Sequence, residues 1–276
     1  MPRRSRWFRE LLFPLSALAQ TVLGQCKKSE AMSESLPSIS VLNQWCAAHK
    51  INLRFLSIGT RSPRLISQGK APLTTDSLAR AEAIARTLRT DEWHALADIH
   101  CDGFPEQIHY QVVTYSQMLA LREAGTMPTG LSATVLPINH EKQTLLLQKR
   151  SASSHLYPGY LSLLGGGYAP AVDDAGDGAN PRTTAERECF EESNVQLTIP
   201  DNCLVAITQE TDVGAIQINY LGIASDFANA KADEQEGLLV EVPVPGEEAI
   251  ADLKNHTDLL KGCLAAYLSQ TTCRVE

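Results

Sequence analysis

At 276 residues, with 43% hydrophobic and 20% charged side chains, the chain has the composition of an ordinary globular protein and room for one large domain or two modest ones. A formal net charge of −8 argues against general nucleic-acid binding, although a metal ion and one or two basic side chains can still neutralise a small anionic substrate locally. The seven cysteines are odd in number and form no C-x-x-C pair, which argues against a disulfide framework or a zinc site and reads as reduced thiols in a cytoplasmic compartment.

Residues 1–31 read as a leader or upstream extension without fixed structure. Arg3, Arg4, Arg6 and Arg9 precede an apolar run, Leu11 to Leu23, that contains Ala17-Leu18-Ala19, the outline of a secretory signal. Glu10 and Pro14 interrupt that outline, and the run is too short to span a bilayer as a helix. Leu23-Gly24-Gln25-Cys26 resembles a lipoprotein box, except that Gln25 stands where a small residue is expected. The alternative is a translation start at Met32, before a polar segment typical of cytosolic proteins. The expectation is a cytoplasmic protein without membrane attachment; export or organelle targeting follows instead if residues 1–26 act as a leader.

Residues 32–127 are expected to form a separate α+β unit. Ile51 to Ile58 alternates as a strand closed by Gly59, and Asp76-Ser77 is placed to cap a helix from Leu78 to about Leu88. Further helices are expected over Asp91 to His100 and over Ser116 to Ala124, the latter ended by Gly125. His94, His100 and His109, with Asp98 and Cys101, match no standard metal-ligand spacing. No chemistry is legible in this unit; shaping a substrate pocket, forming a homodimer interface and docking a partner all remain open.

Met127-Pro128-Thr129-Gly130 marks a boundary, after which residues 128–276 read as the second domain. Leu131 to Ile138 and Thr144 to Lys149 are apolar runs joined by the polar turn Asn139-His140-Glu141-Lys142, a hairpin signature. Lys149 and Arg150 close its second strand. Gly159 to Gly166 (GYLSLLGG) then reads as a strand entering a glycine turn. Thr183 to Asn194 (TTAERECFEESN) follows with four glutamates at helical spacing. Glu188, Glu191 and Glu192 fall at i, i+3 and i+4, so their carboxylates share one helical face. Like charges at these spacings repel, and a divalent cation among the oxygens relieves the repulsion. Hard oxygen donors with room for water suit Mg²⁺ or Mn²⁺.

Arg187-Glu188-Cys189-Phe190-Glu191-Glu192-Ser193-Asn194-Val195 resembles the second half of the Nudix box, Arg-Glu-apolar-x-Glu-Glu-x-Gly-apolar, and the upstream Gly165-Gly166 resembles its opening turn. Asn194 replaces the closing glycine, a mild change because Asn also tolerates the left-handed backbone past a helix end. The loop departs further. Counting five residues from Gly166 reaches Val172, beside Asp173 and Asp174, and Arg187 arrives about seven residues later than the family spacing requires. An insertion rich in Gly, Asp, Ala and Pro fills the gap, and the box's first glutamate is either missing or replaced by Asp173 or Asp174.

The resemblance implies a Nudix-type α/β/α sandwich with a mixed sheet, and Mg²⁺- or Mn²⁺-dependent hydrolysis of a pyrophosphate bond in a nucleoside diphosphate linked to another moiety. It assigns Glu188, Glu191 and Glu192 to metal binding or water activation, with Arg187 orienting a carboxylate of its own helix and the carbonyl of Gly165 or Gly166 completing the coordination. Which glutamate acts as base is open. Arg150 is implied as a substrate contact, against the alternative of a solvated strand end. Glu234 and Glu236, in a late acidic stretch, are implied as a further carboxylate, against the alternative of a surface loop. Cys189 has no histidine partner in the motif and reads as packing.

Beyond the box, Val195 to Ile199, Leu204 to Thr208, Ile216 to Ala224 and Leu238 to Val244 read as strands, and Thr257 opens a last amphipathic helix. No Pro occurs between Pro200 and Pro243, so the proline that marks many ADP-ribose hydrolases of the family is missing, and the substrate is not legible. The rival expectation is a Nudix-fold nucleotide-binding or regulatory module that has lost catalysis, motivated by the missing first glutamate.

Overall fold

The computed structural model describes residues 36–88, 91–97, 99, 103–154, 156–170, 180–232 and 237–272. The leader expected over residues 1–31 lies outside them, as do Asp98, His100, Cys101, Asp173, Asp174, Glu234 and Glu236.

In chain order the elements are α1 (Ile39–Ala48), β1 (Leu53–Gly59), β2 (Arg64–Lys70), α2 (Thr75–Ala85), β3 (Trp93–Ala97), β4 (Gln107–Thr114), α3 (Tyr115–Glu123), β5 (Leu131–Asn139), β6 (Thr144–Arg150), β7 (Leu161–Ser162), β8 (Leu164–Gly167), α4 (Pro181–Ser193), β9 (Leu204–Glu210), β10 (Ile216–Ala224), β11 (Gly237–Pro243) and α5 (Asp258–Thr272). They build an eight-stranded mixed sheet in the order β1-β9-β10-β5-β6-β11, with β7 on β6 and β8 on β5. The β10–β5 pair is parallel and its neighbours are antiparallel. A second, three-stranded sheet runs β2-β4-β3.

The hairpin expected at Asn139 forms, and the side chain of Asn139 closes its turn by accepting from the backbone N–H groups of Glu141 and Lys142, both at 3.1 Å. The two strands then part. They stay in register only at Ile138–Leu145 and Asn139–Thr144, after which β5 pairs with β8 and β6 with β7. The splayed hairpin therefore admits the glycine strand into the sheet.

Alternation along β5 divides the core. Leu131, Ala133 and Val135 face a cluster that includes Ala185 and Cys189 of α4, whereas Leu136 and Ile138 face a cluster with Leu42 and Cys46 of α1 and Leu260, Cys263 and Leu264 of α5. The result is an α/β/α sandwich, the architecture that the resemblance implied.

Several elements differ from expectation. Residues 91–100, expected as a helix, contain strand β3, whose Ala95 and Ala97 are buried while it pairs with β4. Five described residues with a waiting strand partner gain more from ladder bonds than from an isolated helical turn. Asp91 braces the start of α3, whose N-cap is Thr114: its carboxylate accepts from the backbone N–H and hydroxyl of Ser116, both at 2.7 Å. Thr74 rather than Asp76-Ser77 caps α2, accepting from the Ser77 N–H at 3.2 Å. Val195 to Ile199 keeps its alternating burial but is no strand, because it runs beside α4, where Glu186 accepts the Ile199 N–H at 2.7 Å. Helix α1 and strands β2 and β4 were not anticipated. Moreover, the sheet crosses the boundary expected at 127–128: β1 pairs with β9, and residues 36–276 form one unit.

The α5 face of the sheet carries a buried polar network. Asn219, fully buried, accepts from Thr134 Oγ1 at 2.7 Å and donates to the Ala206 carbonyl at 2.9 Å and Thr208 Oγ1 at 3.0 Å, bridging β5, β10 and β9. Replacing Asn219 by Ala strands these partners without water. The expected loss is about 2–4 kcal/mol, read as a lower denaturant midpoint at unchanged slope in equilibrium unfolding.

Candidate active site at the glycine strand and the carboxylate helix

Helix α4 begins where its sequence allows. Asn180 caps it by accepting the Arg182 N–H at 3.0 Å, Pro181 occupies the first turn, and Asn194 ends it in the left-handed conformation (φ 53°) that a closing glycine would take. Thr184, Ala185, Cys189 and Ser193 turn inward. Cys189 is fully buried, and burial pushes its thiol up to about 12, so it packs as an unreactive side chain. Phe190 is half exposed.

The glutamates separate by role. Glu192 is buried and faces the sheet, where its two oxygens accept from the Gly165 N–H at 2.8 Å and from Gln148 Nε2 at 2.9 Å. Glu188 lies against Gly166; a side chain at 166 would collide with its carboxylate. Arg187 donates to Glu188 at 2.8 Å and to Glu191 at 2.7 Å, so one guanidinium orients both carboxylates. The Glu191 side chain is 56% exposed. Gly165 adopts φ 132°, and any β-carbon there would strike the Ala133 carbonyl. Close strand contact and close carboxylate approach thus each require glycine.

The sequence-derived residues Arg187, Glu188, Glu191, Glu192 and Gly166 are therefore adjacent. Their donor set is hard oxygen, and Mg²⁺ needs only one or two protein carboxylates beside substrate phosphate. Glu188, Glu191 and the backbone at Gly166 fit that demand, whereas Glu192 is engaged in holding the glycine strand. Among the described residues, no group of three His, Cys, Asp or Glu side chains is arranged to hold a metal ion. None of the described helices is long and apolar enough to cross a membrane.

Gly165, Gly166 and Gly167 also line a cavity of about 240 Å³ on the α5 face, together with Ser132, Thr134, Arg150, Tyr157, Glu210 and Gln217. Arg150 is held there by its Nε bond to the Leu156 carbonyl at 2.9 Å. His94 of β3 comes close to Gly167 from the smaller sheet, and its burial lowers its basicity. Glu210 and Gln217 did not emerge from the sequence. Their signal was polar residues at the α5-facing positions of two otherwise apolar strands: Thr208 and Glu210, Gln217 and Asn219.

Glu210 is 4% exposed, and its pKa is raised from 4.5 to about 7, first by burial and then by Asp212. The folded state therefore binds this proton more tightly than the unfolded chain. Its stabilising effect is complete below about pH 4.5 and is lost as pH rises through about 7. Glu210→Gln is expected to gain stability over the parent as pH rises from 5 to 8, by about 1–3 kcal/mol, measured by denaturant unfolding at both pH values.

No family model and no curated protein matches the chain. Similar solved structures include a MutT protein from Methanosarcina mazei Go1, at 19% identity and a TM-score of 0.40 over 53% of this chain and 95% of that one. A C. elegans Ap4A hydrolase, solved as a binary complex, is 16% identical with a TM-score of 0.38 over 52% of this chain and 98% of that one. A bifunctional NMN adenylyltransferase/ADP ribose pyrophosphatase from Francisella tularensis, complexed with AMP and a Mn ion, is 15% identical with a TM-score of 0.40; the match covers 57% of this chain and half the length (50%) of that one. The mixed sheet, its glycine strand and the carboxylate-bearing helix that follows form an α/β/α sandwich.

Proposed function

We propose that the chain is a Mg²⁺- or Mn²⁺-dependent hydrolase that cleaves a pyrophosphate bond in a nucleoside diphosphate linked to another moiety. The observation that carries this reading is the seating of Glu188 against Gly166, with Glu191 beside it on the shared Arg187. One of Glu188 and Glu191, together with the Gly166 carbonyl, would hold the ion beside substrate phosphate. When bound, a divalent ion neutralises phosphate charge and makes its water more acidic. The chain's own residues do the remaining work. Arg187 fixes the rotamers of both carboxylates. Glu192 keeps the glycine strand at a set distance from the helix. Whichever of Glu188 and Glu191 is not committed to the ion takes the proton of the attacking water. Arg150, lining the adjacent cavity, supplies positive charge for substrate phosphate.

The second reading, a nucleotide-binding module without catalysis, is favoured by one observation. Glu188 and Glu191 both pair with Arg187, so the described residues present a partly neutralised carboxylate pair rather than a three-carboxylate cluster.

The test is phosphate release with Mg²⁺ or Mn²⁺ from a panel of ADP-ribose, NADH, dinucleoside polyphosphates, coenzyme A, nucleotide sugars and nucleoside triphosphates, with a phosphatase added to reveal monophosphate products. Turnover of one compound is expected, falling about 10²-fold or more in Glu191→Gln or Glu188→Gln. The variant that loses kcat at saturating metal identifies the base; the one rescued by higher metal concentration identifies the ligand. Silence across the panel from a folded protein selects the binding module. Gly166→Ala is expected to keep the fold, because only the flexible end of Glu188 must move, while lowering kcat/KM by displacing that carboxylate.

A further inference from the structure

Tyr157 stands in a backbone conformation that a bulky residue rarely adopts. Its φ is 51°, in the left-handed region, so contacts around it must hold it there. Two carboxyl groups supply them. The Tyr157 hydroxyl donates to Asp212, in the turn after β9, at 3.1 Å, and it also reaches the buried Glu210 at the end of that strand. Residues Leu156 to Tyr160 are thereby strapped to β9 beside the glycine-strand cavity, which Leu156, Tyr157 and Glu210 all line. The strap in turn holds Arg150. The Leu156 carbonyl accepts from Arg150 Nε at 2.9 Å, and the Gly159 N–H donates to the Arg150 carbonyl at 3.1 Å. The Tyr160 N–H closes the strap on the Tyr157 carbonyl at 3.1 Å.

A phenol has one proton and cannot give it to two carboxylates at once. With Glu210 protonated, every partner is met. One Glu210 oxygen accepts from Gln217 Nε2 at 2.6 Å, the acid proton goes to the Tyr157 oxygen, and the Tyr157 proton goes to Asp212. With Glu210 ionised, two carboxylates compete for one proton and repel each other, and one of them is buried. The charged and titratable groups around Glu210 are Asp212 in the turn after β9, Tyr157 and Arg150 from the strap and the end of β6, and Cys263 from α5. Arg150 alone of these favours the ionised form by its charge. Burial and then Asp212 outweigh it and raise Glu210 from 4.5 to about 7.

We propose that Tyr157 is a positioning residue for Arg150: held between Asp212 and the acid form of Glu210, it fixes Leu156 and, through the Leu156 carbonyl, the Arg150 guanidinium, and ionisation of Glu210 loosens this strap. The assignment rests on the hydrolase reading only for the use that Arg150 makes of its charge against substrate phosphate. Opening the strap gives Glu210 access to water, so the open form binds the proton less tightly than the closed one. The contribution of that proton to closure is complete below about pH 4.5 and is lost as pH rises through about 7. Between pH 6 and pH 8 the closing equilibrium then falls about tenfold.

The experiment is hydrogen exchange by NMR on the full chain, without metal or substrate, at pH 6 and pH 8, with each rate taken relative to an unstructured peptide at the same pH. It reads the amides of Gly159 and Tyr160 and the Arg150 Nε–H, the last identified by its absence in Arg150→Lys. All three are expected to be less protected than the amides of β10, which open only with the sheet, and to lose about tenfold in protection from pH 6 to pH 8. Glu210→Gln, whose amide can donate to Tyr157 as the acid does, is expected to keep the parent's pH 6 protection at both pH values. Tyr157→Phe is expected to lose about tenfold already at pH 6. Protection that does not change with pH, a fall that persists in Glu210→Gln, parent-like protection in Tyr157→Phe, an Arg150 Nε–H that does not follow the two amides, or a strap that exchanges only together with β10 would each overturn the proposal. No step requires turnover, so a failure here leaves the hydrolase reading standing, and a silent substrate panel leaves the strap standing.

Discussion

Glu192 accepts one hydrogen bond from the backbone of Gly165 and another from the side chain of Gln148, so a single buried carboxylate ties α4 to β8 and to β6. A charge removed from water is tolerable only when such bonds replace its hydration. The requirement runs in both directions: the carboxylate needs the glycine strand within reach, and the strand is admitted because the β5–β6 hairpin splays after two registered pairs. Once Glu192 is seated, the rest of the helix face follows. Glu188, one turn earlier, comes to rest on Gly166, and Arg187 with Glu191 turns toward solvent. The repulsion implied by three carboxylates on one turn is thereby divided, one being held by the sheet and two by a guanidinium.

The two faces of the sheet are chemically unlike. The α4 face is apolar along its strands, with Val205, Ile207, Ile216 and Ile218 in one cluster. The α5 face is apolar at one end, under α1 and α5, and polar at the other, where Thr134, Asn219, Thr208, Gln217 and Glu210 are buried. A polar network in the interior is favourable only if every member is satisfied. Asn219 meets that condition; Gln217 does not, and the deficit lies beside the cavity rather than within the packed core. The other buried polar side-chain atoms without a partner among the described residues, Arg182 Nε and Thr184 Oγ1, lie on α4.

The N-terminal half of the unit is part of the same architecture. Strand β1 extends the sheet beyond β9, and Asn43 of α1 covers its outer edge by accepting the Phe55 N–H at 2.7 Å and donating to the Phe55 carbonyl at 3.0 Å. A side-chain amide that imitates a neighbouring strand in this way removes a site for edge pairing. The smaller sheet reaches the glycine strand through His94, which approaches Gly167, so residues before the hairpin help to enclose the site.

Much of this was legible before any coordinates. The helix at Thr183, its left-handed end at Asn194, the hairpin at Asn139, the central strands and the last helix all follow from local spacing, capping and alternation, which act over a few residues. The neighbourhood of Arg187, Glu188, Glu191 and Glu192 followed for the same reason, since one helical turn fixes it. Other features were set by partners distant in sequence. Residues 93–97 became a strand because β4 was there to pair with them, and 195–199 did not because no strand lay alongside. Glu210 and Gln217 stand on two strands joined across a turn, and their polarity made sense only once the sheet had put both on one buried face beside Gly165–Gly167. The sequence by itself determined which helix carries the carboxylates and how they are spaced along it. Only the tertiary structure decided which carboxylate is buried and which cavity the glycines open onto, because desolvation and long-range pairing depend on what the folded chain brings together.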